Sequence, residues 1–301
     1  MSWQTYKKGF ESFLQLERSM SENTIEAYVR DLEKLIQFLE IEGIGVPPEK
    51  VTHKHLQVFI GWINELGLSA FSQTRIISGI KAFYKYLLME DVLESSPAEL
   101  LESPKLSRLL PDVLEPQEVE EILNAIDLTK PGGERNKTII EVLYGCGLRV
   151  SELVNLNLSD VNWAEGFIKV TGKGNKQRLV PIGQQALNQL RTYTEYVRSN
   201  QTIDSDHADF VFLNLRGKKL SRVSVFLIIK ELAMLAGINK EVSPHTFRHS
   251  FATSLVEGGA DLRAVQEMLG HSSITTTEIY THLDKDYLRN VVQQFHPRSG
   301  K

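Results

Sequence analysis

The sequence predicts a mainly α chain in two parts, the second carrying a small antiparallel β-sheet. Three observations carry this reading. Apolar residues recur at 3-and-4 spacing through most of the chain, the period of one helix face. Four of the ten prolines, Pro97, Pro104, Pro111 and Pro116, crowd into ESSPAELLESPKLSRLLPDVLEPQEV, which cannot continue as helix and reads as a linker. Two short strand-like runs, 167–170 and 178–182, flank the glycine-bearing TGKGNKQ. A length of 301 residues suits two domains. The expected division is 1–107 and 108–301.

Taken in order, Asn23 and Glu26 have the spacing of a capping box. Behind them Ile25, Tyr28, Val29, Leu32, Leu35, Ile36 and Leu39 line one helix face. Thr52 caps a second helix that Gly67 ends. A third, over 73–88, sets Ile76, Ile77, Ile80, Phe83, Tyr84, Leu87 and Leu88 against a stripe of Arg75, Ser78, Lys81 and Lys85. After the linker, 116–126 and 135–144 are helical in pattern, and the hairpin follows. Helices are expected over 186–198 and 223–236. Ser243-Pro244 opens another, with serine at the cap and proline at the first position. Asp261 caps the next and Gly270 ends it. Ser272 or Ser273 starts a short one reaching Tyr280, and 284–295 is helical again, closed by His296-Pro297-Arg298.

A hydrophobic fraction of 42% and a charged fraction of 24% exclude a disordered chain, a collagen-like fibre and a disulfide scaffold. The single cysteine, Cys146, has no internal partner, which suits a reducing, cytoplasmic setting. No signal-peptide core opens the chain, and no apolar stretch approaches the ~20 residues of a membrane span. The net charge is −4, yet 166–194 and 210–230 contain no acidic residue. The first holds Lys169, Lys173, Lys176, Arg178 and Arg191; the second holds Arg216, Lys218, Lys219, Arg222 and Lys230. Nucleic-acid binding needs a basic face, not a basic protein, so the charge balance leaves that partner open.

Several residues have side chains suited to chemistry. Gly145-Cys146-Gly147-Leu148-Arg149 opens like a dinucleotide fingerprint, but its sixth position is Val150 and no strand precedes it. What remains is Arg149 at a helix start with Glu152 on the same face. His245 and Arg248 share the first turns of a helix, where backbone N–H groups favour an anion. His245 and His249 have metal-ligand spacing, but the glutamate of the zinc motif is missing and an arginine stands between them. His271 follows a helix end, and Tyr280 closes a short helix. Each alone is more often an ion pair, a cap or packing. The set reads differently. Arginines clamp non-bridging phosphate oxygens and offset transition-state charge. A tyrosine stores a phosphoryl bond, given a base for its phenol of pKa ~10. A histidine takes that proton, and Lys173 on a glycine turn supplies one to the leaving alkoxide.

These motifs, in this order, resemble the tyrosine recombinase (phage integrase) family, of the XerC/XerD type. The resemblance runs through SENTIEAYVRDL, SPKLSRLLP, EVLYGCGLRVSEL, GKGNKQRLVPIG and SPHTFRHSFATSLVEGGADLRAVQEMLGHSSITTTEIYTH to the final HPR. It implies catalytic roles for Arg149, Lys173, His245, Arg248, His271 and the nucleophile Tyr280, with Glu152 in support. It implies a tyrosine recombinase fold: a helical, SAM-like core-binding domain and an α-rich catalytic domain closing on duplex DNA. The cation stripe then gives DNA contacts from Arg75, Lys81 and Lys85, joined by Lys176, Arg178 and Arg222. The implied reaction is strand exchange at a recombination site, with no metal, ATP or other cofactor. The implied partners are a homo- or hetero-tetramer with a paralogous recombinase, joined through the C-terminal tail, and a cell-division DNA translocase acting in chromosome-dimer resolution. A phage or transposon integrase, a type IB topoisomerase and a non-enzymatic DNA-binding protein are the alternatives.

Overall fold

The computed structural model describes residues 2–104, 112–172, 177–270 and 282–299, with 282–284 described by backbone only. The chain divides into two compact units, residues 1–109 and 110–301. The expected boundary at 107/108 lies outside the described residues.

The described residues of the first unit hold four α-helices: α1 (Trp3–Leu16), α2 (Glu22–Ile41), α3 (His53–Glu65) and α4 (Ala70–Met89). Thr52 caps α3 as expected, accepting from the His55 backbone while the His55 side chain answers the Thr52 N–H. The expected box at Asn23 does not form. Ser21 stands at the cap position of α2, so Asn23 falls inside the first turn. Ser69 caps α4 and starts it three residues earlier than the apolar pattern alone indicates. The apolar stripes of the helices meet in one core, with Phe10, Leu32, Leu35, Phe38, Leu56 and Phe83 fully buried. Among the described residues one charged group lies inside it. Asp31 on α2 is fully buried and binds Arg75 on α4 at 2.5 Å.

The second unit holds α5 (Pro116–Asn124), α6 (Gly133–Cys146), α7 (Val150–Val154), a small sheet, and then α8 (Gln184–Thr192), α9 (Arg222–Leu235), α10 (Pro244–Gly258), α11 (Leu262–Leu269) and α12 (His282–Phe295). The sheet is antiparallel in the order β1 (Val161–Asn162), β2 (Phe167–Thr171), β3 (Gln177–Pro181), with Val170 opposite Arg178 and Ile168 opposite Val180. Helix α6 is buried along its whole second half, from Thr138 to Cys146, and is the central post of this unit. Ser243, Asp261 and Gly270 cap as their residue types dictate. Among the described residues no helix is long and apolar enough to cross a membrane.

The resemblance placed the tail after Tyr280 in a neighbouring subunit. In this single chain the tail packs on its own unit. Leu288, Val291 and Val292 of α12 form an apolar stripe, buried with Phe251, Leu255, Val265 and Met268 of α10 and α11. Beyond α12, His296 is buried against the rings of Tyr144 and Phe251, and Arg298 binds Glu141 and Glu120.

Candidate active site

The site forms where three chain segments end beside one another: the α6–α7 turn, the first turns of α10, and the last carbonyls of α11. Gly147 makes the α6–α7 turn in the left-handed region, at φ +60°. A Cβ there would lie 2.4 Å from the Phe251 ring, so only glycine fits. The turn sets Arg149 at the cap of α7 and Glu152 one turn on. The Arg149 backbone N–H donates to Glu152 Oε2 at 2.8 Å, and Arg149 Nη1 donates to Oε1 at 2.9 Å.

Glu152 is buried and gathers three guanidiniums. Besides Arg149, Arg178 grips it with two parallel bonds, Nη1 to Oε1 at 2.8 Å and Nη2 to Oε2 at 2.9 Å. Arg248 Nη1 stands 3.9 Å from Oε2. Burial pushes the Glu152 carboxyl up, but the bonds and charge of Arg178, with the bonds of Arg149, outweigh it and hold it below the usual carboxylate range.

The end of α11 supplies the second anchor. The last carbonyls of a helix lack intrahelical partners and carry the negative end of its dipole. Arg178 Nε donates to Met268 O at 2.9 Å, Arg248 Nη2 to Leu269 O at 2.5 Å, and Arg149 Nη2 to Gly270 O at 3.5 Å. Three consecutive carbonyls thus meet three guanidiniums. Arg248 also donates to Gly147 O at 2.8 Å, which ties α10 to the α6–α7 turn. Among the described residues these bonds use two of its five N–H groups. Burial, then the Arg149 charge, pushes Arg248 down to about 10.

His245 lies on the rim, its ring 5.8 Å from that of His249. Loss of solvent on its packed side lowers its pKa first, and the charges of His249, Arg248 and Arg149 lower it further. It is therefore a neutral imidazole at pH 7, able to accept a proton.

Of the expected site residues, Arg149, Glu152, His245 and Arg248 come together here. Lys173, Lys176, His271 and Tyr280 lie outside the described residues. Arg75, Lys81 and Lys85 lie on α4 of the first unit, and Arg222 opens α9 with an exposed side chain. Two of the expected DNA contacts already have partners within the chain. Arg178 is buried, and each of its three nitrogens already bonds within the chain, two to the oxygens of Glu152 and one to the Met268 carbonyl. Arg75 is half committed, because the buried Asp31 and the Ala27 carbonyl hold its Nη1. Strand alternation was the signal for Arg178: it shares a face with the buried Val180.

Residues 112–286 match the phage integrase family, and residues 8–91 match the phage integrase N-terminal SAM-like domain. The chain belongs to the phage integrase family. It is 47% identical over 287 residues to tyrosine recombinase XerD of Staphylococcus saprophyticus, covering 95% of this chain and 97% of that protein. It is 44% identical over 299 residues to tyrosine recombinase XerD of Chlorobaculum tepidum, covering 98% and 97%. Among solved structures it is similar to the XerH site-specific recombinase bound to palindromic difH substrate in a post-cleavage complex. That match has a TM-score of 0.68 and 25% identity, covering 95% of this chain and 84% of that one. The chain is a site-specific DNA recombinase of mainly helical architecture.

Proposed function

We propose that this recombinase cleaves and rejoins DNA strands through a 3′-phosphotyrosyl intermediate and serves chromosome-dimer resolution. Tyr280 Oη attacks the phosphorus, the bond to the 5′-oxygen breaks, and the 5′-hydroxyl leaves with a proton from Lys173. A 5′-hydroxyl of the partner strand later reverses the step, so the bond energy stays in the phosphotyrosine and no cofactor is needed. Arg149 and Arg248 hold the non-bridging oxygens, Glu152 orients Arg149, His245 accepts the phenol proton, and His271 adds a hydrogen bond at the phosphate.

The observation that carries this reading is the guanidinium cluster: Arg149 and Arg248 stand on one buried carboxylate beside a neutral imidazole, an arrangement shaped for a phosphodiester. Nearly full-length similarity to XerD proteins supports the chromosome-dimer role, a tetramer with a paralogue and dependence on a cell-division translocase. The similarity to XerH bound to difH supports a duplex recombination site as the partner, with Lys81, Lys85, Lys176, Arg222 and the free side of Arg75 on its phosphates.

The test is covalent trapping on a nicked suicide duplex that carries the host's candidate site. Wild type forms a protein–DNA adduct. Tyr280→Phe binds the duplex with unchanged affinity and forms none. An adduct from the variant moves the nucleophile elsewhere.

A further inference from the structure

We propose that Arg178 is a positioning residue for strand cleavage: it occupies both oxygens of Glu152 and so keeps Arg149 and Arg248 available to the phosphate. This deepens the recombinase reading and rests on it. The geometry is that of a brace. Arg178 points inward from β3, the strand that continues from the turn holding Lys173. Its fork meets the carboxylate of α7 with two parallel bonds, and its Nε meets the last turn of α11. One side chain thus joins the hairpin, the Arg149 helix and the segment that runs on to His271. Gly270 makes room for it: a Cβ there would lie 3.0 to 3.3 Å from the Arg178 Cδ, Nε and Cζ.

The charge argument is specific. One carboxylate faces three guanidiniums, giving a local net charge of +2 with Arg178 and +1 without it. Remove Arg178, and each oxygen of a buried carboxylate loses a charged donor and keeps only its bond from Arg149, so the buried charge is under-compensated. The nearest replacements are Arg149, already in contact, and Arg248, whose Nη1 is 3.9 Å from Oε2. Glu152 then draws both inward and becomes a competitor of the phosphate. A lysine keeps the charge but cannot make the two parallel bonds.

The experiment measures single-turnover cleavage of the suicide duplex at saturating DNA, with affinity by anisotropy and thermal melting alongside. Arg178→Met is expected to slow cleavage by about 100-fold, the scale of an ångström-level misplacement, with affinity within about threefold. Arg178→Met combined with Glu152→Gln is expected to recover about tenfold of that loss, because the competing charge is gone. Arg178→Lys falls between wild type and Arg178→Met. Three results overturn the proposal: cleavage by Arg178→Met within about threefold of wild type, an affinity loss that accounts for the rate loss, or no recovery in the double variant. If Arg178→Met does not fold, Arg178→Lys decides: slowed cleavage with unchanged affinity supports the role, and a wild-type rate refutes it. Wild-type adduct that disappears in Tyr280→Phe establishes the parent reading independently, so failure confined to the Arg178 variants sinks this proposal alone. No wild-type adduct sinks both.

Discussion

Acidification from pH 7 to pH 5 should weaken the second unit by about 2 kcal/mol through one residue, His296. The residue is 3% exposed, with ring centroids 4.8 Å from Tyr144 and 5.4 Å from Phe251, and its Nδ1 accepts from the Arg298 N–H. Burial pushes its pKa from 6.5 down to about 4. The unfolded chain therefore binds a proton below pH 6.5 that the folded chain refuses until pH 4, so stability is full above 6.5 and falls as pH falls. The whole gap is worth about 3 kcal/mol, at ~1.4 kcal/mol per pH unit, and the span down to pH 5 contains about two thirds of it. His245 is lowered too, but it is exposed and contributes little. Glu118 and Glu152 are held below the carboxylate range and act only in more acid solution. Trp163 is the only tryptophan in residues 110–301, so urea unfolding followed by its fluorescence, with Trp3 and Trp62 replaced by phenylalanine, isolates this unit. His296→Phe keeps an aromatic ring between Tyr144 and Phe251 but cannot titrate. Its stability at pH 5 and pH 7 should agree within about 0.5 kcal/mol, whatever its absolute value. A variant that keeps the wild-type pH dependence refutes the reasoning.

Three further outcomes are expected. Gly147→Ala should cost roughly 3 kcal/mol or more in the same unfolding assay, from a positive φ and a Cβ driven into Phe251; wild-type stability would show that the turn can rearrange. Lys173→Ala should regain cleavage on a duplex whose 5′ leaving group is a thiol, which needs no acid, and an absence of rescue removes lysine from that role. Duplex affinity should fall ~10³-fold or more between 50 and 200 mM salt if several cations neutralise phosphates, and a flat response contradicts the basic face.

Helix positions were legible because their signals are local. Thr52, Ser243-Pro244, Asp261 and Gly270 act within one turn of where they stand, and each caps as its chemistry dictates. The start of α2 was misplaced because Ser21 and Asn23 are both good cap formers, and a choice between neighbours depends on how the preceding chain enters. The two-residue β1 is too short to leave a pattern. The roles of Arg178 and Arg75 were hidden for another reason. Each stands in a stretch without acids, where a cation reads as surface, yet each answers a buried carboxylate far off in sequence, Glu152 and Asp31. The final His-Pro-Arg reads as a stop after a helix. That His296 is buried and Arg298 binds Glu141 of α6 depends on contacts more than 150 residues apart.

That blind spot bears on how an acidic chain can handle DNA. A net charge of −4 says nothing about the field at a phosphate, because the field there is set by a few ångströms of local structure. Three guanidiniums crowded on neighbouring carbonyls repel one another, and Arg248 is buried as well; its lowered pKa registers both effects. A single buried carboxylate relieves the crowding without cancelling it. On the proposed reading, the remaining excess of two positive charges matches a phosphodiester that gains charge as the phenol attacks. The basic stripes on the surface would then set how tightly duplex is held, and the cluster at the end of α11 how fast it is cut. These two properties should respond separately to mutation, and salt should weaken the first far more than the second, since buried pairs are poorly screened.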